Sequence, residues 1–174
     1  LSIEYVIADN KDQIESSSAI ILPGVGAFNS AMEDLQDNGL ESVIIDNVKT
    51  GKPLLGICLG MQLLFESSEE FGIHKGLGLL KGDVVKFKGL ETGFKIPQTQ
   101  WNKVFSSGCN SKLFKGIESI NPFMYFVHSY YVRPSHKGTK IISTNYGGLD
   151  YCCAIELENI YAVQFHPEKS SNNG

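Results

Sequence analysis

A chain of 174 residues, 42% of them hydrophobic, can bury one sizeable core as a single domain over 1–174. A net charge of −4 with acids and lysines interspersed gives no reason to expect nucleic acid or an anionic membrane as partner, and no apolar run approaches the length of a bilayer span. Four cysteines, at spacings that fit neither a disulfide framework nor a zinc site, point to a reducing cytoplasm, and no residue pattern calls for a metal or another cofactor.

In chain order, Glu4 to Ala8 reads as a strand, and Ile20 to Leu22 as a second that breaks into the loop Pro23-Gly24-Val25-Gly26. Such a loop presents backbone N–H groups. No Gly-Lys-Ser/Thr follows it, and Asn29 stands where the third glycine of a dinucleotide fingerprint belongs, so a phosphate cradle is not expected. Helices are predicted from Phe28 to Asn38 and onward through Val48. Pro53 to Ile57 reads as a buried parallel strand and Met61 to Glu66 as the helix after it, which leaves Cys58 on a sharp turn at a strand's carboxyl end. Beyond Gly76 the pattern changes to short strands parted by Gly, Pro and Asn: Val84 to Phe87, Tyr125 to His128, Tyr130 to Val132, Lys140 to Ser143, Tyr151 to Leu157 and Tyr161 to Gln164.

The chemistry concentrates in two segments, Gly56-Ile57-Cys58-Leu59-Gly60 and Gln164-Phe165-His166-Pro167-Glu168. A lone cysteine in an apolar run is ordinarily a core residue. Here two glycines flank it at a strand–helix junction, and a His-x-Glu lies downstream, which is the logic of a nucleophile, a base and an orienting carboxylate. The turn aims the Leu59 N–H at whatever Cys58 attacks, giving half of an oxyanion hole and a field that favours thiolate. Cys152 and Cys153 are strand neighbours whose side chains face opposite ways, and Cys109 sits in the Ser106-Ser107-Gly108 loop; all three are read as structural. His74 and His136 lie in polar loops and are read as solvated.

Together, Leu22 to Phe28, Gly56 to Phe65, Tyr125 to Tyr130 and Gln164 to Ser170 resemble the class I (triad) glutamine amidotransferases, and among them the glutaminase subunits of imidazole glycerol phosphate synthase. The resemblance implies an α/β fold, a mainly parallel central sheet with helices on both faces. It implies a Cys58, His166 and Glu168 triad, an oxyanion hole of backbone N–H groups from Leu59 and the Val25-Gly26 loop, and glutamine bound by Gly24, Gln62, Ser129 and Tyr130. Trp101, Tyr125, His128 and Lys169 match positions at the interface with a (β/α)8 cyclase/synthase subunit. The implied reaction is hydrolysis of glutamine through a cysteinyl thioester, with ammonia delivered to that partner for histidine biosynthesis. Two other readings stay open: a paralogous amidotransferase feeding another synthase, such as one amidinating surface sugars, and a catalytically silent scaffold that only activates its partner.

Two departures from the family pattern stand out. The family opens with a strand and helix before the part matched by Leu1 to Ala8 and closes with a helix after Ser170, and the chain is expected to lack both. Where the subfamily has Pro-His-Met-Gly-Trp-Asn, this chain has Pro97-Gln98-Thr99-Gln100-Trp101-Asn102.

Overall fold

The computed structural model describes residues 3–105, 111–117, 121–135 and 138–174, so Cys109 and His136 lie outside the described residues. The front of the chain runs α1 (Lys11–Ser16), β1 (Ile20–Leu22), α2 (Phe28–Asp37), α3 (Leu40–Lys49), β2 (Leu54–Ile57) and α4 (Leu59–Leu63). Strands follow: β3 (Phe65–Ser68), β4 (His74–Lys75), β5 (Leu80–Lys86), β6 (Gln98–Phe105), β7 (Phe123–His128), β8 (Tyr130–Pro134), β9 (Lys140–Tyr146), β10 (Leu149–Leu157) and β11 (Ile160–Val163).

These strands make one sheet in the order β1-β2-β11-β10-β8-β5-β3-β4, and β9 leaves β10 to carry β6 and then β7. The α/β fold is as expected, but parallel pairing is confined to β1-β2-β11 and β3-β5, and the other ladders are antiparallel. The cause is connection length. Gly147-Gly148 alone separates β9 from β10, and Glu158-Asn159 alone separates β10 from β11; links that short can only reverse the chain.

Side-chain alternation along the central strands splits the interior in two. Leu54, Ala162, Cys152 and Ile155 face one core, which every α-helix covers through Ile14, Phe28, Met32, Ile44, Val48, Leu59 and Leu63. Val163, Cys153 and Ala154 face the other, which is closed by Val104, Met124, Phe126 and the Leu113–Phe114 turn. Among the described residues, α-helices therefore lie on one face rather than both, and the curled β6–β7 layer closes the opposite face. Cys152 and Cys153 do point into different cores. Phe28 and Phe65 are completely buried, each worth roughly 2–3 kcal/mol of apolar burial.

Several predicted elements shift. Glu4 to Ala8 joins no ladder and leaves Tyr5 and Ile7 exposed, because alternation alone does not make a strand without a neighbour to pair with. The helix after Cys58 stops at Leu63, since Phe65, Ser67 and Ser68 pair with β5 instead. Unanticipated α1 is short and capped by the Asn10 side chain, which accepts from the Gln13 N–H. No described helix is long and apolar enough to cross a membrane.

Candidate active site

The site is built where β2 and β11 end side by side. They are parallel, with Gly56 beside Ala162 and Ile57 beside Val163, and the Cys58 N–H extends the ladder by donating to the Val163 carbonyl at 2.8 Å. Cys58 itself has φ 55° and ψ −110°, a strained left-handed turn that a non-glycine residue holds only when its surroundings enforce it. Here close backbone approach enforces it. A Cβ on Gly60 would stand 1.7 Å from the Leu22 carbonyl oxygen, and one on Gly56 would stand 3.0 Å from the Gly60 oxygen and the Met61 backbone.

Cys58, Leu59 and His166 line one cleft of about 310 Å³, together with Val25, Gly26, Gln62, Ser129 and Tyr130. His166 Nδ1 lies 2.7 Å from Glu168 Oε1. The carboxylate can only accept, so in the neutral ring Nδ1 carries the proton and Nε2 keeps its lone pair, and that buried atom has no hydrogen-bond partner among the described residues. A base of the right tautomer thus shares a cleft with the thiol.

The electrostatics differ from expectation at Cys58. Burial pushes the thiol up to about 11; the Leu59 N–H and the Gln164 amide pull it down, and the Glu168 charge adds to the upward push. The Leu59 N–H acts in the expected direction, but desolvation outweighs it. At neutral pH the Cys58 side chain is therefore favoured as the thiol.

Of the other expected residues, Gly24 packs against the Leu59 side chain, 3.2 Å from where its Cβ would be, and fixes the loop instead of lining the cleft. Gln62 spends both amide protons, on the Tyr130 carbonyl and on Gln164 Oε1, each at 3.0 Å, which leaves its own oxygen as the acceptor it can offer. Trp101, Tyr125 and Lys169 form a surface cluster: the two rings meet edge-on at 6.1 Å and Lys169 Nζ lies 5.8 Å from the Tyr125 centroid. The Tyr125 carbonyl accepts from the His166 N–H at 2.9 Å, so this patch is one hydrogen bond from the base. His128, expected at the interface, is a cleft-lining residue whose buried ring packs among Phe87, Phe126 and Tyr151 rather than in the surface cluster.

Two residues escaped the sequence reading as site members. Gln164 is fully buried and donates to Cys58 Sγ at 3.7 Å; it stood inside a quoted motif, but nothing in one sequence assigns it that contact. Among the described residues Glu70 is the one carboxylate on the cleft wall, anchored by the Phe28 N–H at 2.7 Å, and its loop sequence carries no signal.

The sequence of the class I glutamine amidotransferase domain, as a family description, matches residues 2–174. The chain belongs to the class I glutamine amidotransferases. Among relatives of this amidotransferase, the imidazole glycerol phosphate synthase subunit HisH of Rhodopirellula baltica is 45% identical over 172 residues, spanning 99% of this chain and 82% of that protein. The subunit of the same name from Aquifex aeolicus is 44% identical over 171 residues, spanning 98% and 80%. A crystal structure of a glutamine amidotransferase superposes with a TM-score of 0.72 at 19% identity, covering 95% of this chain and 79% of that one, and so shares the fold.

Proposed function

We propose that this chain is the glutaminase subunit of an imidazole glycerol phosphate synthase, working in the cytoplasm, and that Cys58, His166 and Glu168 perform the hydrolysis. The observation that carries the reading is a strained-turn cysteine and a Glu-oriented histidine on adjacent parallel strands, opening into one cleft. His166 Nε2 takes the thiol proton as Cys58 attacks the side-chain amide carbon of glutamine. The oxyanion meets the backbone N–H groups of Leu59 and of the Val25–Gly26 loop, and a donor of this kind is worth roughly 10²–10³ in rate. The imidazolium, held by Glu168, returns its proton to the departing ammonia, and water then resolves the thioester to glutamate. The Gln62 oxygen and the Ser129–Tyr130 backbone hold the substrate's polar end, and Glu70 offers its ammonium a counter-charge. Ammonia passes to a (β/α)8 cyclase/synthase docked over Trp101, Tyr125 and Lys169.

In the complex with that synthase, Cys58→Ser is expected to abolish glutamine-dependent synthesis and leave ammonia-dependent synthesis unchanged. Retained glutaminase activity in this variant would sink the assignment of the nucleophile.

A further inference from the structure

We infer that His128 is a positioning residue for the glutamine pocket: braced by Tyr151 and Gln98, it fixes the Tyr130 carbonyl and, through it, the Gln62 and Gln164 carboxamides beside Cys58. The inference rests on Cys58 being the nucleophile.

His128 and Gln98 are direct cross-strand partners on β7 and β6. The imidazole is enclosed by Phe87, Phe126 and Tyr151, with ring centroids 5.2, 5.8 and 5.5 Å away. Its Nδ1 lies 2.8 Å from the Tyr130 carbonyl oxygen and its Nε2 3.1 Å from the Tyr151 hydroxyl, which in turn is 2.8 Å from Gln98 Oε1. Burial lowers the His128 pKa to about 4, against the Tyr130 hydrogen bond that raises it and with the His166 charge that lowers it further. The ring is neutral at physiological pH.

Proton counting then orders the chain of contacts. The Tyr130 carbonyl only accepts, so the single imidazole proton sits on Nδ1 and Nε2 is an acceptor. Tyr151 has one proton, and two acceptors face it. A half-turn of the Gln98 carboxamide completes the count: Gln98 Nε2, otherwise without a partner, donates to Tyr151, and Tyr151 donates to His128. Both ring nitrogens of His128 are thereby engaged within the protein and none is left for substrate.

The same Tyr130 oxygen accepts from Gln62 Nε2, Gln62 also donates to Gln164 Oε1, and Gln164 donates to the thiol. Ser129 is the sole residue between β7, which pairs with β6, and β8, which pairs with β5, so the Tyr130 peptide lies where the chain passes from one ladder to the next. Without the His128 Nδ1 proton that peptide is held on the cleft side by Gln62 alone. Its rotation would free, in order, Gln62, Gln164 and Cys58.

The test uses the glutaminase–synthase complex and three substitutions of one side chain. His128→Leu is expected to raise the KM for glutamine about five- to tenfold, the scale of one lost hydrogen bond that leaves a buried acceptor, and to slow iodoacetamide alkylation of Cys58, with kcat changed less. His128→Asn puts an amide donor where Nδ1 was and should restore KM to within about twofold, whereas His128→Gln, whose amide reaches only the Nε2 position, should not. Equal behaviour of the Asn and Gln variants, or an unchanged KM in a folded Leu variant, overturns the inference. Should His128→Leu not fold, Tyr151→Phe removes one oxygen and little volume; it is expected to raise KM about two- to threefold, and an unchanged KM overturns the inference as well. Failure of the nucleophile assignment reads out separately, as glutaminase activity surviving Cys58→Ser.

Discussion

At Cys58 burial and catalysis pull in opposite directions. With its thiol pushed up to about 11, the neutral form is favoured across the physiological range, so alkylation of Cys58 by iodoacetamide in the absence of glutamine should keep rising with pH well past 8. A plateau below pH 8 would instead mean a resting thiolate–imidazolium pair. Because the proton has to move to His166 in the same step that forms the thioester, His166→Ala and Cys58→Ala should not be additive: the double variant should be no slower than about the worse single one. A loss equal to the product of the two single losses would separate their roles. Glu168→Gln should cost less than either, because Glu168 orients Nδ1 at 2.7 Å without passing on the proton itself. Single-turnover rates with glutamine decide among these.

At the scale of elements, the strand–turn–helix of β2, Cys58 and α4 rests on Gly60, where even a methyl group would overlap the Leu22 carbonyl. Gly60→Ala is expected to cost more than about 3 kcal/mol in urea unfolding or to abolish soluble expression, because the obstacle is backbone and cannot rotate away. This unit was legible in the sequence: an apolar run, two glycines and a cysteine have few other arrangements. So were β1, α2, α3 and most of the short strands, whose periodicity is undisturbed. β6 was not. Its buried positions include Gln98, and its exposed ones include Trp101, so polarity does not report which face is inside. The Gln98-Thr99-Gln100 departure from the subfamily pattern divides in the same way. Thr99 and Gln100 are exposed, while Gln98 is buried in the His128 network, so only one of the three substitutions touches the interior.

At the scale of the whole molecule, a glutaminase running alone would release ammonia to be protonated in bulk water, and weak turnover by the isolated chain is expected. Adding the synthase with its acceptor substrate should raise glutaminase kcat/KM by about tenfold or more, an ordinary inter-site coupling, and charge reversal at Lys169 should reduce that gain. No stimulation by a histidine-pathway cyclase from the same organism would favour the paralogous reading. Far from the cleft, Glu156 ties β10 to the Ser111 turn and to β9: it accepts from the Ser111 hydroxyl and the Lys112 N–H and pairs with Lys140 at 2.9 Å. Burial pushes its carboxyl up, and these donors together pull it below the ordinary 4.5. Its stabilisation is therefore complete above that range and fades as the pH falls through the lowered value. Glu156→Gln should cost about 1–3 kcal/mol at neutral pH and progressively less in acid, measured by chemical unfolding. The proposed triad can be read from the sequence because its members lie in two compact motifs. Gln164 and Glu70 cannot, since their roles exist only when β11, α4 and the loop after β3 meet.

Cys58 and His166, the proposed nucleophile and base, follow directly on one parallel ladder, and that limits how any partner can turn the enzyme on. The Cys58 amide is locked to the Val163 carbonyl, three residues before His166, inside parallel pairing that continues from Leu54 to Ile57. Drawing the imidazole nearer to the sulfur would strain that pairing, whereas the Val25–Gly26 loop belongs to no ladder and can move without such loss; Ser129 and Tyr130 are held to β5 through the Phe87 N–H and the Lys86 register. In deuterium exchange, the Cys58 and Ala162 amides should therefore be among the slowest in the chain and stay equally slow when the synthase docks, while any change in protection gathers in the Val25–Gly26 loop.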